Sequence, residues 1–370
     1  MAKLCLERKT LDTSISLDSL GFHPSFLHQW NSLSTPETLP GRVIAAHGPT
    51  FSVLTEKGRI LTQLAGKLKH GALTPETLPV VGDWVVVRYP PGSTAGLILS
   101  TLERRTSLKR RMAGSRSDVQ VLAANIDTVF ITTSLNEDFS PARLDRYLTA
   151  VWDGGARPVI LLTKADLVPS PQPYLDQLDT MTMGVDLHVI SAQHGKGLEA
   201  LQPYLLPGQT VAVVGSSGVG KSTLINALLG REAMTVKTIR AHDQQGQHTT
   251  THRELLPIPG GALLMDTPGL RTLYMGSEDG GLEATFSDIE ALSPACRYRD
   301  CIHQEEPGCA VRAAIENGSI TAARLASYHK LLREQHWQTI RQDERLKSQQ
   351  VREWKSRTRA LRAMQKERGR

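Results

Sequence analysis

The sequence predicts a multidomain chain: a small N-terminal β-barrel, a central α/β domain with mostly parallel strands, and a C-terminal α-helical unit. Three observations predict it. Short β-patterned runs crowd residues 41–108, and apolar strand runs alternate with helical stretches from about Val119. Strand patterns stop near Gly276, where three cysteines and a histidine gather ahead of a long helix. At 370 residues the chain is also too long for one ordinary hydrophobic core.

Residues 1–40 have weak periodicity, and "NSLSTPETLPG" reads as a linker, so they are set apart as an N-terminal extension. The span 41–115 holds "GRVIAAHG", "FSVLTE", "GRILTQLAG", "GDWVVVRY" and "GLILSTLE", separated by Gly, Pro and charged turns. Five short strands in so little chain suggest an OB-fold, a barrel that often binds nucleic acid. "TSLKRRMAGSRSD" follows as a basic connector. With Arg104 and Arg105, its Lys109, Arg110, Arg111 and Arg116 make a basic strip at the barrel's exit.

The span 116–276 reads as α/β. "TVFITTSL" and "RPVILLTKADL" are buried strand runs, and "DLHVISAQ" is another strand with its loop. "SPARLDRYLTAVWDGG" is a helix with Ser140 as N-cap and Pro141 at its first position. "TVAVVGSSGVGKSTLINALLG" runs strand, glycine loop, helix, and "GALLMDTPG" is a strand ending on a carboxylate.

"GSSGVGKS" fits G-x-x-x-x-G-K-S. Gly215, Ser216, Ser217, Gly218, Val219 and Gly220 form a loop whose N–H groups converge on a β-phosphate. Lys221 adds a positive charge at the β and γ oxygens, and Ser222, followed by Thr223, reaches Mg²⁺. Asp266 ends the next apolar strand, where a carboxylate holds Mg²⁺ through its water shell. The Gly269 N–H can bond the γ-phosphate and lose that bond after hydrolysis. Between them, "QQGQHTTTHREL" offers Thr249, Thr250 and Thr251, of which Thr250 is the expected metal ligand.

The base has its own signature. "LLTKAD" ends a buried strand with Thr163, Lys164, Ala165 and Asp166. A carboxylate at Asp166 accepts N1–H and N2–H₂ of guanine together, whereas adenine turns a lone pair toward it. The Lys164 stem can lie over the purine. Farther on, "VISAQ" places Ser191 and Ala192 on another strand-end loop, where the Ala192 N–H can meet guanine O6. These motifs precede the phosphate loop instead of following it. The domain is therefore expected to be a circularly permuted α/β P-loop GTPase domain, tolerable where the original termini lie close together.

The C-terminal span 277–370 carries C-x4-C-x-H-x5-C. Cys296, Cys301, His303 and Cys309 are three sulfurs and one nitrogen, a set suited to tetrahedral, structural Zn²⁺. Cys5 stands alone and reads as an inert thiol. A helix follows from about Thr321. From Arg341 to Arg370 there are eleven Lys/Arg against four Asp/Glu, a net of +7 on a chain of net +6. A basic tail on a neutral body suggests a polyanion, nucleic acid first; the plain alternative is a solvated helix. No run of eighteen apolar residues and no signal-like start appear, so the expectation is a cytoplasmic protein without membrane contact.

The order T-K-x-D, S-A, G-x-x-x-x-G-K-S, H-T-T-T, D-T-P-G and C-x4-C-x-H-x5-C resembles the ribosome small subunit-dependent GTPases, the RsgA family of bacteria. The resemblance spans about residues 41–335. It implies an enzyme that hydrolyses GTP to GDP and phosphate when stimulated by the small ribosomal subunit. That enzyme acts late in the subunit's maturation near the decoding region, depends on Mg²⁺ and carries one structural zinc. It also implies that Lys221, Ser222 and Asp266 serve phosphate and Mg²⁺, that Asp166 serves guanine, and that "GQHTTT" is switch I. The small subunit and its rRNA, together with a guanine nucleotide, are the expected partners of a monomer. One departure is Thr163, where the family more often has Asn.

Small-GTPase sites place a glutamine after D-x-x-G to orient water, but Leu270 stands here and cannot polarise it. Slow intrinsic hydrolysis is expected, with His248 the nearby candidate for the catalytic group. Two other readings stand beside this one: an RNA-binding scaffold that holds GTP structurally, and an ATP-dependent P-loop enzyme.

Overall fold

A computed structural model describes residues 16–342 apart from 67, 69–76, 91, 92, 94, 112–118, 180–183, 231–253 and 267–279. After a single 3-10 turn at Asp18–Leu20 comes helix α1 (Pro24–Leu33), where the sequence suggested only an extension. His23 caps it by accepting from the Ser25 N–H, and Pro24 supplies a preset φ at the first helical position. Phe22 and Phe26 pack on Trp84, Phe22 edge-on at 4.6 Å between ring centroids. A single ten-residue helix offers too few turns for periodicity to register in sequence.

Five strands then close a barrel: β1 (Thr38–His47), β2 (Thr50–Thr55), β3 (Gly58–Leu64), β4 (Trp84–Arg88) and β5 (Gly96–Thr101). β1 pairs antiparallel with both β2 and β4, while β3 and β5 pair in parallel. This round, 1-2-3-5-4 and back to 1, is the OB-fold expected from the turn spacing. Val43, Val53, Val85, Val87 and Ile98 fill its core, and burying such side chains contributes about 1.5–3 kcal/mol each. β6 (Ser107–Arg111) and β7 (Val119–Ala124) form an antiparallel ribbon, so the basic connector is partly strand.

The α/β domain holds β8 (Thr128–Ser134), helix α2 (Pro141–Asp153), β9 (Arg157–Thr163), helix α3 (Gln172–Leu178) and β10 (Asp186–Val189). It continues with β11 (Thr210–Gly215), helix α4 (Lys221–Leu229), β12 (Glu254–Pro257) and β13 (Leu263–Asp266). Its sheet runs β10-β9-β8-β11-β13-β12, parallel except for β12. β8 is buried at all seven positions, as a central strand covered on both faces should be. One layer packs Leu144, Leu148 and Val151 of α2 on Val129 and Ile131; the opposite layer packs Leu224 and Ile225 of α4 on Phe130, Val211 and Val213. β12 meets β1 at Ala45 and Glu254, so barrel and α/β domain share one sheet.

The C-terminal unit holds α5 (Gly281–Thr285), α6 (Ser287–Leu292), α7 (Ala310–Glu316) and α8 (Ala322–Gln342). Leu282, Phe286, Ile289, Val311, Ile320 and Leu331 form its core, together with Ala150 of α2. Gly281 sits so close to α2 that an added Cβ would lie 2.4 Å from the Thr149 carbonyl.

Candidate functional site

The phosphate loop leaves β11 at Gly215 and enters α4 at Lys221. Gly215, Gly218 and Gly220 have φ of 146°, 81° and 97°, values that favour glycine. A Cβ on Gly215 would also lie 2.3 Å from the Thr132 carbonyl. Val219 is buried and anchors the loop, while Ser217 and Gly218 are exposed. Ser222 and Thr223 occupy the first turn of α4, whose N–H groups suit an anion. The Lys221 ammonium donates to the Gly215 carbonyl at 3.0 Å and to the Ser216 carbonyl, so it lies along the loop.

The base motif reaches the same place from another strand. Thr163 ends β9, next but one to β11, and its hydroxyl lies 2.6 Å from the Val219 carbonyl and 3.2 Å from that of Thr133. The residue that departs from the family pattern thus bonds directly to the phosphate loop. Lys164 follows at φ 59°, turning the chain so that Ala165 donates to the Ile190 carbonyl. That bond joins the T-K-A-D loop to the S-A loop, where Ala192 is half-buried. Ser191 donates to Asp166 Oδ1 at 2.5 Å, and the His194 Nδ1 lies 3.1 Å from the same hydroxyl. The Ser191 hydrogen bond holds the Asp166 carboxyl below its ordinary value, so it is ionised and acceptor-only near neutral pH. His194 went unnoticed in the sequence, although it follows Ser191 by only three residues.

Asp266 lies at the end of β13, with its backbone beside the strand that feeds the phosphate loop. His248, Thr249, Thr250, Thr251 and Gly269 lie outside the described residues. The structure therefore brings Thr163, Lys164, Ala165, Asp166, Ser191 and Ala192 to the edge of the loop at 215–223. The other phosphate-side candidates enter only as positions in the chain.

The second cluster is compact. One ligand atom each from Cys296, Cys301, His303 and Cys309 lie within 4.8 Å of one another. His303 Nδ1 is 3.6 Å from Cys296 Sγ and 3.4 Å from Cys309 Sγ, and the two sulfurs are 3.9 Å apart. Tetrahedral zinc, with bonds of about 2.0–2.3 Å, needs ligands separated by roughly that much. The residues therefore fit the ion. His303 Nε2 lies 3.1 Å from Ser293 Oγ, which in turn lies 3.1 Å from the Ile289 carbonyl it donates to. With Nε2–H donating to Ser293, Nδ1 is left free to ligate. Burial holds the imidazole below its usual pKa, in the neutral form a ligand needs. Ser293 carries no sequence signal for this role.

The basic strip is only partly available to a partner. Arg104 donates to both oxygens of the buried Asp83, each at 2.8 Å. Arg105 lies 3.5 Å from Asp127.

The RsgA GTPase family model matches residues 101–276. The small ribosomal subunit biogenesis GTPase RsgA 2 of Lactiplantibacillus plantarum is 47% identical over 313 residues, 84% of this chain and 88% of that protein. The small ribosomal subunit biogenesis GTPase RsgA of Opitutus terrae is 42% identical over 365 residues, 96% of this chain and all (100%) of that one. Among solved structures, YjeQ from Thermotoga maritima superposes with a TM-score of 0.61 at 28% identity, covering 80% of this chain and 98% of its own. YloQ, described as a circularly permuted GTPase, gives 0.59 at 26% identity, covering 81% and 96%.

Proposed function

This chain belongs to the RsgA GTPase family, and from that premise we propose that it binds the small ribosomal subunit late in its maturation and hydrolyses GTP under the subunit's stimulation. It is a GTP hydrolase on a circularly permuted scaffold. The observation that carries the guanine assignment is the bond from Thr163 to Val219, which seats T-K-A-D against the phosphate loop.

On this reading Asp166 receives guanine N1–H and N2–H₂, with one of its oxygens oriented by Ser191. Lys164 covers the purine, Ala192 meets O6, and residues 215–223 cradle the phosphates. Ser222, Thr250 and Asp266 would hold Mg²⁺, which when bound neutralises charge on the β and γ oxygens. His248 receives the proton of the attacking water, and the Gly269 N–H reads the γ-phosphate. Cys296, Cys301, His303 and Cys309 would hold Zn²⁺ as a structural ion. The domains divide as 1–40, 41–115, 116–276 and 277–370.

RNA is met by the barrel, by Lys109, Arg110 and Arg111 of β6, by Arg116 beyond them in the chain, and by the basic span 341–370. Arg104 is committed to Asp83 and stands apart from that surface. The protein acts as a cytoplasmic monomer. No described helix is long and apolar enough to cross a membrane.

Phosphate release from GTP tests the proposal when separate small and large ribosomal subunits are added. Acceleration by the small subunit alone is expected; equal acceleration by both, or by neither, overturns it. Adenine nucleotides that displace a labelled guanine analogue would favour the ATP reading instead.

A further inference from the structure

Three side chains from neighbouring elements brace the phosphate loop among the described residues. Thr132 of β8 donates to the Val214 carbonyl at 2.6 Å, just before the loop. Thr163 of β9 lies 2.6 Å from the Val219 carbonyl, near its far end. The third brace is Arg143 of α2, whose Nη1 donates to Ser216 Oγ at 2.6 Å. The two threonines grip backbone atoms; the arginine grips the loop through a side chain.

We propose that Arg143 is a positioning residue for guanine-nucleotide binding, acting on the phosphates through Ser216. The Ser216 carbonyl, with that of Gly215, accepts from the Lys221 ammonium, so the placing of Ser216 bears on where that charge sits. Arg143 and Lys221 therefore hold the same loop residue at two points, the arginine at its side chain and the lysine at its backbone carbonyl. The same Nη1 donates to Asp138 Oδ1 at 2.9 Å and to the Asp138 carbonyl at 3.3 Å, which sets the guanidinium before a nucleotide arrives.

Its base is equally fixed. Two residues along α2, Asp145 accepts from Arg324 at 2.5 Å and from Ser327 at 2.7 Å, and Arg146 donates to Glu334 at 2.8 Å. These three α8 contacts hold the helix from outside the α/β domain. A group mounted on a helix held at that many points can locate its target to a few tenths of an ångström. An exposed Arg–Asp pair alone contributes little, and the Arg143 and Asp138 side chains are 40% and 41% exposed. The bond to Ser216 is what distinguishes Arg143 from such a pair.

The inference rests on the guanine-nucleotide reading, and its test needs no ribosome. GDP affinity is measured on the full, metal-loaded chain for Arg143→Ala, Arg143→Lys, Ser216→Ala and the Arg143→Ala/Ser216→Ala double variant. Each single alanine variant is expected to weaken GDP binding about three- to tenfold, the range for a lost hydrogen bond to a charged group after solvent screening. The double variant should be no weaker than either single one, because both remove the same contact. Arg143→Lys should recover part of the loss, and KM for GTP should rise more than kcat falls. Affinities within about twofold of the unaltered protein, or losses that multiply in the double variant, overturn the proposal. If the unaltered chain binds GDP but ignores the small subunit, the ribosomal reading fails and the Arg143 proposal stands on its own data.

Discussion

Arg42 and Arg324 are 1% and 4% exposed, and each ties an appended unit to the α/β domain, one through carbonyls and the other through carboxylates. Arg42, on β1 of the barrel, donates to the carbonyls of Leu20, Gly82 and Asn125. Arg324, on α8, donates to Asp145 at 2.5 Å, to both oxygens of Asp288 at 3.0 and 3.1 Å, and to the Thr285 carbonyl at 2.5 Å. Its guanidinium also lies 4.2 Å from the Phe286 ring centre. Burial pulls the Arg42 pKa down to about 10, still well above neutrality. Burial likewise raises the Asp145 carboxyl against the pull of Arg324. The barrel also shares a sheet with the α/β domain, so backbone pairing supports its joint. The C-terminal unit has no such continuity among the described residues. Beside the packing of Ala150 and Gly281, its seat rests on buried charged side chains, and such a fastening is lost when one partner is removed.

That contrast can be tested from its strongest consequence downward. If the Cys296–Cys309 cluster holds zinc as proposed, removing it by chelation or by Cys309→Ser should have the largest effect. Small metal units draw about 10–16 kcal/mol of apparent stability from zinc, so losing the ion removes a large share of what holds such a unit folded. Hydrogen exchange should then accelerate across α5 to α8 and stay slow in the barrel. Equal acceleration in both units would erase the distinction.

Arg324→Met comes next. It strands the buried Asp145 and the half-buried Asp288, and breaking a buried pair costs about 3–5 kcal/mol. Urea denaturation should show that loss, with the C-terminal unit released first. Arg42→Met leaves carbonyls without a donor but strands no carboxylate in contact with it, so about 1–3 kcal/mol is expected by the same measurement. If Arg42→Met proves the costlier of the two, the account of carbonyl and carboxylate fastening is wrong.

The smallest effect lies in the domain that both units share. Asp166 has a lowered pKa, so its ionised form persists as pH falls through the ordinary carboxylate range and is lost only below it. GDP affinity should accordingly hold from pH 7 toward pH 4 on this group's account. Ser191→Ala removes the largest cause of the lowering and should move the acidic fall in affinity upward, toward 3.8. A titration of GDP binding on both proteins checks the direction.

Much of the site was legible before any coordinates. The glycine loop, T-K-A-D and the Cys/His spacing are local patterns in which residue type and interval carry the chemistry. The five barrel strands were legible because alternation and turn residues bound each one. α1, β12 and the β6–β7 ribbon were not. α1 is short, β12 spans four residues, and the ribbon carries Lys109 and Arg110 where an apolar run would have marked a strand.

By itself, the sequence determined which patterns are present: a glycine loop of the phosphate-binding type, the T-K-A-D carboxylate, a Cys/His set that fits a metal and a basic end. It also determined that the base motif comes first in the chain. Only the tertiary structure decided what meets what. Thr163 grips Val219 across 56 residues, and Arg324 reaches Asp145 across 179. Neither Arg143 nor Ser293 stands in any motif, yet one bonds to Ser216 of the glycine loop and the other to His303 of the Cys/His cluster. The physical reason is range. Backbone preference and motif spacing act over a few residues, whereas a hydrogen bond between distant side chains exists only once the packed core has brought them within about 3 Å.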